Sequence, residues 1–168
     1  LTHALEVAQA AVAMARGIGV NVTLADAIAL GHDCGHGPGG HASEDAFDQF
    51  IEGGYDHGPW GADVVLAELN LTVQTLDGIR NHSWSRPAPA TVEGEIVSWA
   101  DRIAYCAHDL EDAIHAGIVH PTDLPAEIMG KVYSEGGYGK LALEGMEGAR
   151  YELKPMTFPK IVEEHVIF

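Results

Sequence analysis

Apolar residues recur at three- and four-residue spacing along most of the chain, and the pattern reads as helix after helix. Over 2–16 (THALEVAQAAVAMAR), Leu5, Ala8, Val12 and Ala15 form one apolar stripe in an alanine-rich segment, which Gly17 and Gly19 end. Asn21 or Thr23 can cap a second helix through the apolar run 24–30 to about Asp33. The glycine-rich turn 35–40 excludes regular structure. A short helix is expected from Ser43 to Ile51, broken by Gly53 and Gly54, and another from about residue 59 to Glu68 behind Gly58-Pro59. Thr72 can cap a helix to about His82, 84–90 with Pro87 and Pro89 is a loop, and Thr91 opens the longest helix, to about Ala116, stopped by Gly117. Pro121 and Thr122 start a short helix to Met129, 130–140 is glycine-rich, and 158–167 reads as a last helix. No segment alternates with period two and no repeat is visible, so the expected class is all-α.

Composition narrows this picture. At 168 residues and 46% apolar content the chain suits one domain with a real core, about 1–129, followed by a C-terminal extension, 130–168. A net charge of −16, from 25 acids against 9 bases, disfavours a broad nucleic-acid surface or an anionic membrane as partner. A single anionic ligand stays compatible if a metal and a few cationic groups focus the field. Cys34 and Cys106 are too few for a disulfide framework and suit the cytoplasm. No apolar run is long enough to span a membrane, and no signal peptide is seen. The chain starts at Leu1, already inside a helical stretch, which reads as a fragment lacking an N-terminal segment.

The chemistry concentrates in Gly31–Glu44, GHDCGHGPGGHASE, where His32, Asp33, His36, His41 and Glu44 are threaded with glycine. The pair His32-Asp33 offers an imidazole and a carboxylate, a borderline-hard site suited to Mn²⁺, Fe²⁺, Zn²⁺ or Mg²⁺. Two ligands do not hold such an ion. His3 on the first helix and Asp101 on the longest supply two more, each beside apolar positions where an uncompensated polar group is expensive. Taken singly, His3 could be a core histidine and Asp101 a partner of Arg102 or Arg80. Asp101, Tyr105 and Asp109 stand at i, i+4 and i+8 and so line one helical face. His41 and Glu44, three residues apart at a helix start, let a carboxylate orient an imidazole.

The order His3…His32-Asp33…Asp101 resembles the HD superfamily of metal-dependent phosphohydrolases, and more closely its deoxyguanosine-triphosphate triphosphohydrolase-like branch. The residues that carry the resemblance are LTHALEVAQ at 1–9, AIALGHDCGHGPGGHASE at 27–44, LNLT at 69–72 and ADRIAYCAHDLEDA at 100–113. The resemblance implies a helical bundle, with His3, His32, Asp33 and Asp101 holding one divalent ion (Mn, Mg, Fe, Co, Ni or Zn). It implies His41 and Glu44 as the catalytic pair, and His36, His57, Arg102, Tyr105 and Asp109 as substrate contacts. It departs at Gly37-Pro38-Gly39-Gly40, where the family commonly has Pro-Pro-Phe-Gly, and the family's arginine three residues before the first histidine falls before Leu1.

The resemblance further implies hydrolysis of a deoxynucleoside triphosphate to deoxynucleoside and tripolyphosphate, with homo-oligomers common among relatives. Two alternatives stand beside it: a nucleotidase or other phosphomonoesterase, and a non-catalytic nucleotide-binding regulatory module. Products separate the first and ligand binding without turnover separates the second.

Overall fold

The computed structural model describes residues 1–124, which fall into two compact units, Leu1–Arg102 and the part of Ile103–Phe168 up to residue 124. Six α-helices are described: α1 (Thr2–Ile18), α2 (Val22–Gly31), α3 (His41–Asp48), α4 (His57–Trp60), α5 (Val73–Asn81) and α6 (Val92–His115). No strand occurs among the described residues. The class is all-α, as the periodicity predicts.

In the first unit, α1 packs on α2, α2 on α5, and α5 on α4. The core comprises Val7, Ala11 and Met14 of α1, Ala25, Ile28 and Ala29 of α2, Ile79 of α5, and Ile96, Val97 and Ala100 of α6. The many alanines bring the backbones close, so the side chains that close the site need not reach far. Three ties set the start of α6. Glu93 accepts from the backbone N–H of Asn21 at 2.8 Å, Ser98 donates to the His82 carbonyl at 2.5 Å, and Thr91 accepts from the Gly94 N–H at 3.2 Å.

The caps follow the sequence reading where it named one residue. α1 runs through Gly17 and stops at Gly19, whose φ of 81° puts it in the left-handed region. Of the two caps considered for α2, Asn21 is used: its side chain accepts from the Leu24 N–H. Thr72 caps α5 through the Thr75 N–H.

Three boundaries are corrected. α2 ends at Gly31 rather than Asp33, and the chain continues in turns closed by Cys34 N–H to Gly31 and His36 N–H to Asp33. α3 begins two residues early, at His41, and ends at Asp48, because Gly40, at φ 59° and ψ −132°, lets the chain enter the helix abruptly. The helix expected over 59–68 is instead three short pieces: α4, a π-turn over Gly61–Val65 and a 3₁₀ turn over Ala67–Leu69. Asp56 starts α4 earlier by accepting from the Gly58 N–H, and Leu66 N–H then reaches back five residues to Gly61.

In the second unit the described residues continue α6 to His115, turn at Gly117 (φ 70°) and form a 3₁₀ turn over Pro121–Asp123. The rest of the helix expected to Met129, the glycine-rich 130–140 and the helix expected over 158–167 lie outside the described residues. No helix among the described residues is long and apolar enough to cross a membrane.

Candidate metal centre

His32 occupies the C-cap of α2. Its Nδ1–H donates to the Ala29 carbonyl at 2.7 Å, satisfying one of the acceptors a helix leaves open at its end. That bond fixes the tautomer, so the neutral ring carries its lone pair on Nε2. The ring is fully buried and Nε2 has no hydrogen-bond partner. It faces two carboxylates, Asp33 Oδ1 at 3.3 Å and Asp101 Oδ1 at 3.5 Å. His3 arrives from α1, with Nε2 2.9 Å from Asp101 Oδ1 and 3.7 Å from Asp33 Oδ2. Four side chains from α1, α6 and the end of α2 therefore converge.

The electrostatics ask for positive charge at this point. Burial pushes the His32 pKa down, but the nearby carboxylates of Asp101 and Asp33 override it and raise it to about 10. Burial likewise works to raise Asp33, yet His32 pulls it down to about 2. Asp101, opposed by the same burial, is held well below the usual carboxylate range by its hydrogen bond with His3 and by the neighbouring His32. A divalent ion meets that demand better than one proton does. With bonds of about 2.1 Å, neighbouring donors around such an ion stand roughly 3.0–3.5 Å apart. The separations of 2.9–3.7 Å observed here lie within a few tenths of an ångström of that range.

A second constellation adjoins the first. Glu44, on the first turn of α3, accepts from His41 Nδ1–H at 2.8 Å and from both the backbone N–H and Nδ1–H of His57 at 2.6 Å. These three donors outweigh its burial and hold its carboxyl down to about 2. His41 is 80% exposed at its side chain, whereas His57 is 4% exposed. His36 stacks on the His57 ring, 3.8 Å between centroids, and its Nε2 lies 3.6 Å from Asp33 Oδ1. Burial lowers the His36 pKa, and His57 adds to the effect. The loop reaches this position because Gly35 has no side chain: a Cβ there would lie 2.0 Å from the His57 carbonyl and 2.4 Å from the Gly61 nitrogen.

One residue at the centre, His82, is marked by the sequence only as the end of a helix. His82 is the C-cap of α5, 2% exposed, and donates Nδ1–H to the Ile79 carbonyl at 2.7 Å. It repeats the arrangement of His32. Its Nε2 lies 3.0 Å from His57 Nε2 and 4.0 Å from Asp33 Oδ1. Burial pushes its pKa down to about 4, assisted by His32. A signal was present in Ala29-Leu30-Gly31-His32 and Ile79-Arg80-Asn81-His82: both put a histidine three residues after the core residue whose carbonyl it caps.

Among the described residues, four overlapping groups of donors lie within 4.8 Å of one another: His3, His32 and Asp33; His32, His82 and Asp101; Asp33, His57 and His82; and His36, His41, Glu44 and His57. Cys34 is exposed, faces the Leu30 carbonyl and belongs to none of them. The Arg102 guanidinium lies 3.8 Å from the centroid of the Trp84 ring. Tyr105 and Asp109 belong to the second unit, where Tyr105 is half-buried and Asp109 exposed.

A family model described as HD domain matches residues 1–106. A deoxyguanosinetriphosphate triphosphohydrolase-like protein of Caldanaerobacter subterraneus subsp. tengcongensis is 44% identical over 135 residues, covering 77% of this chain and 40% of its own length. A protein of the same description from Clostridium perfringens is 43% identical over 139 residues, covering 77% and 40%. A deoxyguanosinetriphosphate triphosphohydrolase-like protein 1 of Deinococcus radiodurans is 41% identical over 140 residues, covering 74% and 38%. The chain thus spans about 40% of the length of the curated relatives it matches.

Proposed function

The chain belongs to the HD-domain family, and from that premise we propose that it is a metal-dependent phosphohydrolase whose substrate is a deoxynucleoside triphosphate, released as deoxynucleoside and tripolyphosphate. The observation that carries the reading is the lone pair of His32, buried and without a hydrogen-bond partner, aimed between two carboxylates and neighboured by His3. His3, His32, Asp33 and Asp101 hold one divalent ion in this reading. When bound, such an ion neutralises phosphate charge and lowers the pKa of water. A net charge of −16 otherwise disfavours a triphosphate, so the site needs a local positive centre.

His41 is the residue poised for proton transfer. Glu44 fixes its Nδ1–H, so Nε2 presents a lone pair on an exposed ring and can take or deliver a proton at the scissile phosphate ester. Glu44 is a positioning residue for both His41 and His57. His36, clamped against His57, contributes a donor facing a phosphate oxygen, and His57 lines the same wall. The resemblance to the triphosphohydrolase-like branch supports Arg102, Tyr105 and Asp109 as further substrate contacts. The same resemblance supports the triphosphate over a monophosphate.

A panel of deoxynucleoside mono- and triphosphates with Mn²⁺, Mg²⁺ or Co²⁺, products resolved by chromatography, tests this. Tripolyphosphate is the expected product; orthophosphate from monophosphates alone would replace the triphosphate reading with a phosphomonoesterase. His41→Ala should keep bound Mn²⁺ while turnover falls roughly 10²–10⁴-fold, the usual contribution of a positioned acid or base. Full activity in that variant removes His41 from the mechanism.

A further inference from the structure

Trp84 is the second residue of a tight turn that leaves the metal centre. His82 is fixed there by its ring, and its carbonyl accepts from the Ser98 hydroxyl at 2.5 Å. The chain then reverses: the Ser83 and Ser85 hydroxyls share a hydrogen bond of 2.9 Å, and the Arg86 N–H closes on the Ser83 carbonyl at 2.9 Å. This turn carries the Trp84 ring onto α6. The ring meets Trp99 in a T-shaped contact, 4.8 Å between centroids and 78° between planes, yet about half of Trp84 stays exposed. Trp99 and Arg102 are three residues apart on α6 and so are neighbours on its surface. The Arg102 guanidinium lies over the Trp84 ring, 3.8 Å from its centroid.

The contact suits a cation whose hydrogen bonds are meant for a ligand. A guanidinium stacked on an indole is held through its face, and the ring takes none of its five in-plane N–H donors. A carboxylate partner draws on those donors instead. Arg80 and Arg86 follow that alternative: Arg80 pairs with Asp63, and Arg86 Nη1 lies 3.6 Å from Asp56 Oδ2. Arg102 directly follows Asp101, whose Oδ1 meets the His3 and His32 nitrogens in the metal centre. Its long stem would otherwise let the guanidinium sample many orientations. Fixing the plane beforehand removes that ordering cost when an anion arrives.

We propose that Trp84 is a positioning residue for the triphosphate: it holds the plane of Arg102 so that the edge of the guanidinium takes a polyphosphate oxygen beside the metal centre. The inference rests on Arg102 as a substrate contact in the preceding reading and adds the residue that aims it. Lysine cannot replace Arg102 in this arrangement, because an ammonium has no plane for the indole to fix. Phenylalanine replaces Trp84 in part, since it keeps a π face of weaker attraction.

The full chain, loaded with Mn²⁺, is assayed for KM and kcat with deoxyguanosine triphosphate, and its Kd for inorganic tripolyphosphate is measured by calorimetry. Trp84→Ala should raise both KM and Kd roughly 3–10-fold, the size of a partly desolvated cation–π contact, with a smaller change in kcat. Trp84→Phe should recover much of the loss, and Arg102→Lys should resemble Trp84→Ala. In an Arg102→Ala background, Trp84→Ala should raise Kd no further. Additive losses in that double variant overturn the proposal, because Trp84 then acts on the fold rather than through Arg102. A Trp84→Ala chain with unchanged KM and Kd overturns it too. Should Trp84→Ala not fold, judged by circular dichroism, Trp84→Leu, which keeps bulk and loses the π face, takes its place in the same cycle. A wild-type chain that neither cleaves the triphosphate nor binds tripolyphosphate removes the reading under Proposed function as well. Triphosphate turnover with additive losses leaves that reading standing and removes only the role of Trp84.

Discussion

His32 and His82 show how a helix end makes a ligand. Each ring spends Nδ1–H on a carbonyl of its own last turn and is left with one lone pair, pinned in direction and buried. The carbonyl is one that the helix leaves without a partner, so the cap and the ligand orientation are the same bond. His32 also separates Asp33 from Asp101, whose carboxylates otherwise face each other across the site. His32→Ala should therefore act twice. Mn²⁺ binding is expected to vanish, and the metal-free protein should lose about 3 kcal/mol in a urea titration, the order seen when a buried ionic partner is deleted. Asp33→Ala should abolish both binding and turnover. A fully active Asp33→Ala protein ends the metal-centre account.

At the scale of elements, the site depends on how closely the glycine-rich turn approaches α4. Gly35 touches the backbone of His57 and Gly61 rather than flexible side chains, so a methyl group cannot be absorbed by a rotamer change. Gly35→Ala should destabilise by roughly 2–3 kcal/mol through backbone displacement and weaken Mn²⁺ binding, because His36 and His57 move with the turn. A variant as stable as wild type would show that the turn and α4 are not in contact. This dependence explains what the sequence could and could not tell. Helical periodicity and caps at Asn21 and Thr72 are local, and they were legible. The convergence of His3, His32, Asp33 and Asp101 was legible only through the order of the four residues and the resemblance it carries, since taken singly His3 could be a core histidine and Asp101 an arginine's partner. The break of 59–68 into α4, a π-turn and a 3₁₀ turn was not legible, since it follows from Asp56 and the Gly35–Gly61 contact across the chain. His82 was missed for the same reason. It stands far along the chain from the His32-Asp33 pair, and no spacing rule links them until α5 packs on α2.

For the molecule as a whole, the site and the net charge set opposing pH trends, and their signs can be worked out for the metal-free protein. His32, raised to about 10, stabilises the fold fully below its ordinary value of 6.5 and loses that contribution as pH climbs toward 10. His82, lowered to about 4, is the reverse: its unfolded ring takes up a proton near 6.5 that the folded ring refuses, so stability falls as pH drops from 6.5 toward 4. Asp33 and Glu44, both near 2, contribute stability above their unfolded values and lose it below about 4. Shedding part of the −16 charge on the way down relieves self-repulsion, but at an ordinary surface this is diffuse and screened, whereas the histidine terms are buried. The melting temperature of the chelated protein should therefore peak near pH 6.5 and decline on both sides. Saturating Mn²⁺ must displace the proton from His32, so its stabilisation should grow with pH and lift the alkaline limb most. Scanning calorimetry across that range, with chelator and with Mn²⁺, reads both effects. A metal-free melting temperature that rises steadily from pH 6.5 to 9 would mean that His32 is not held between those two carboxylates.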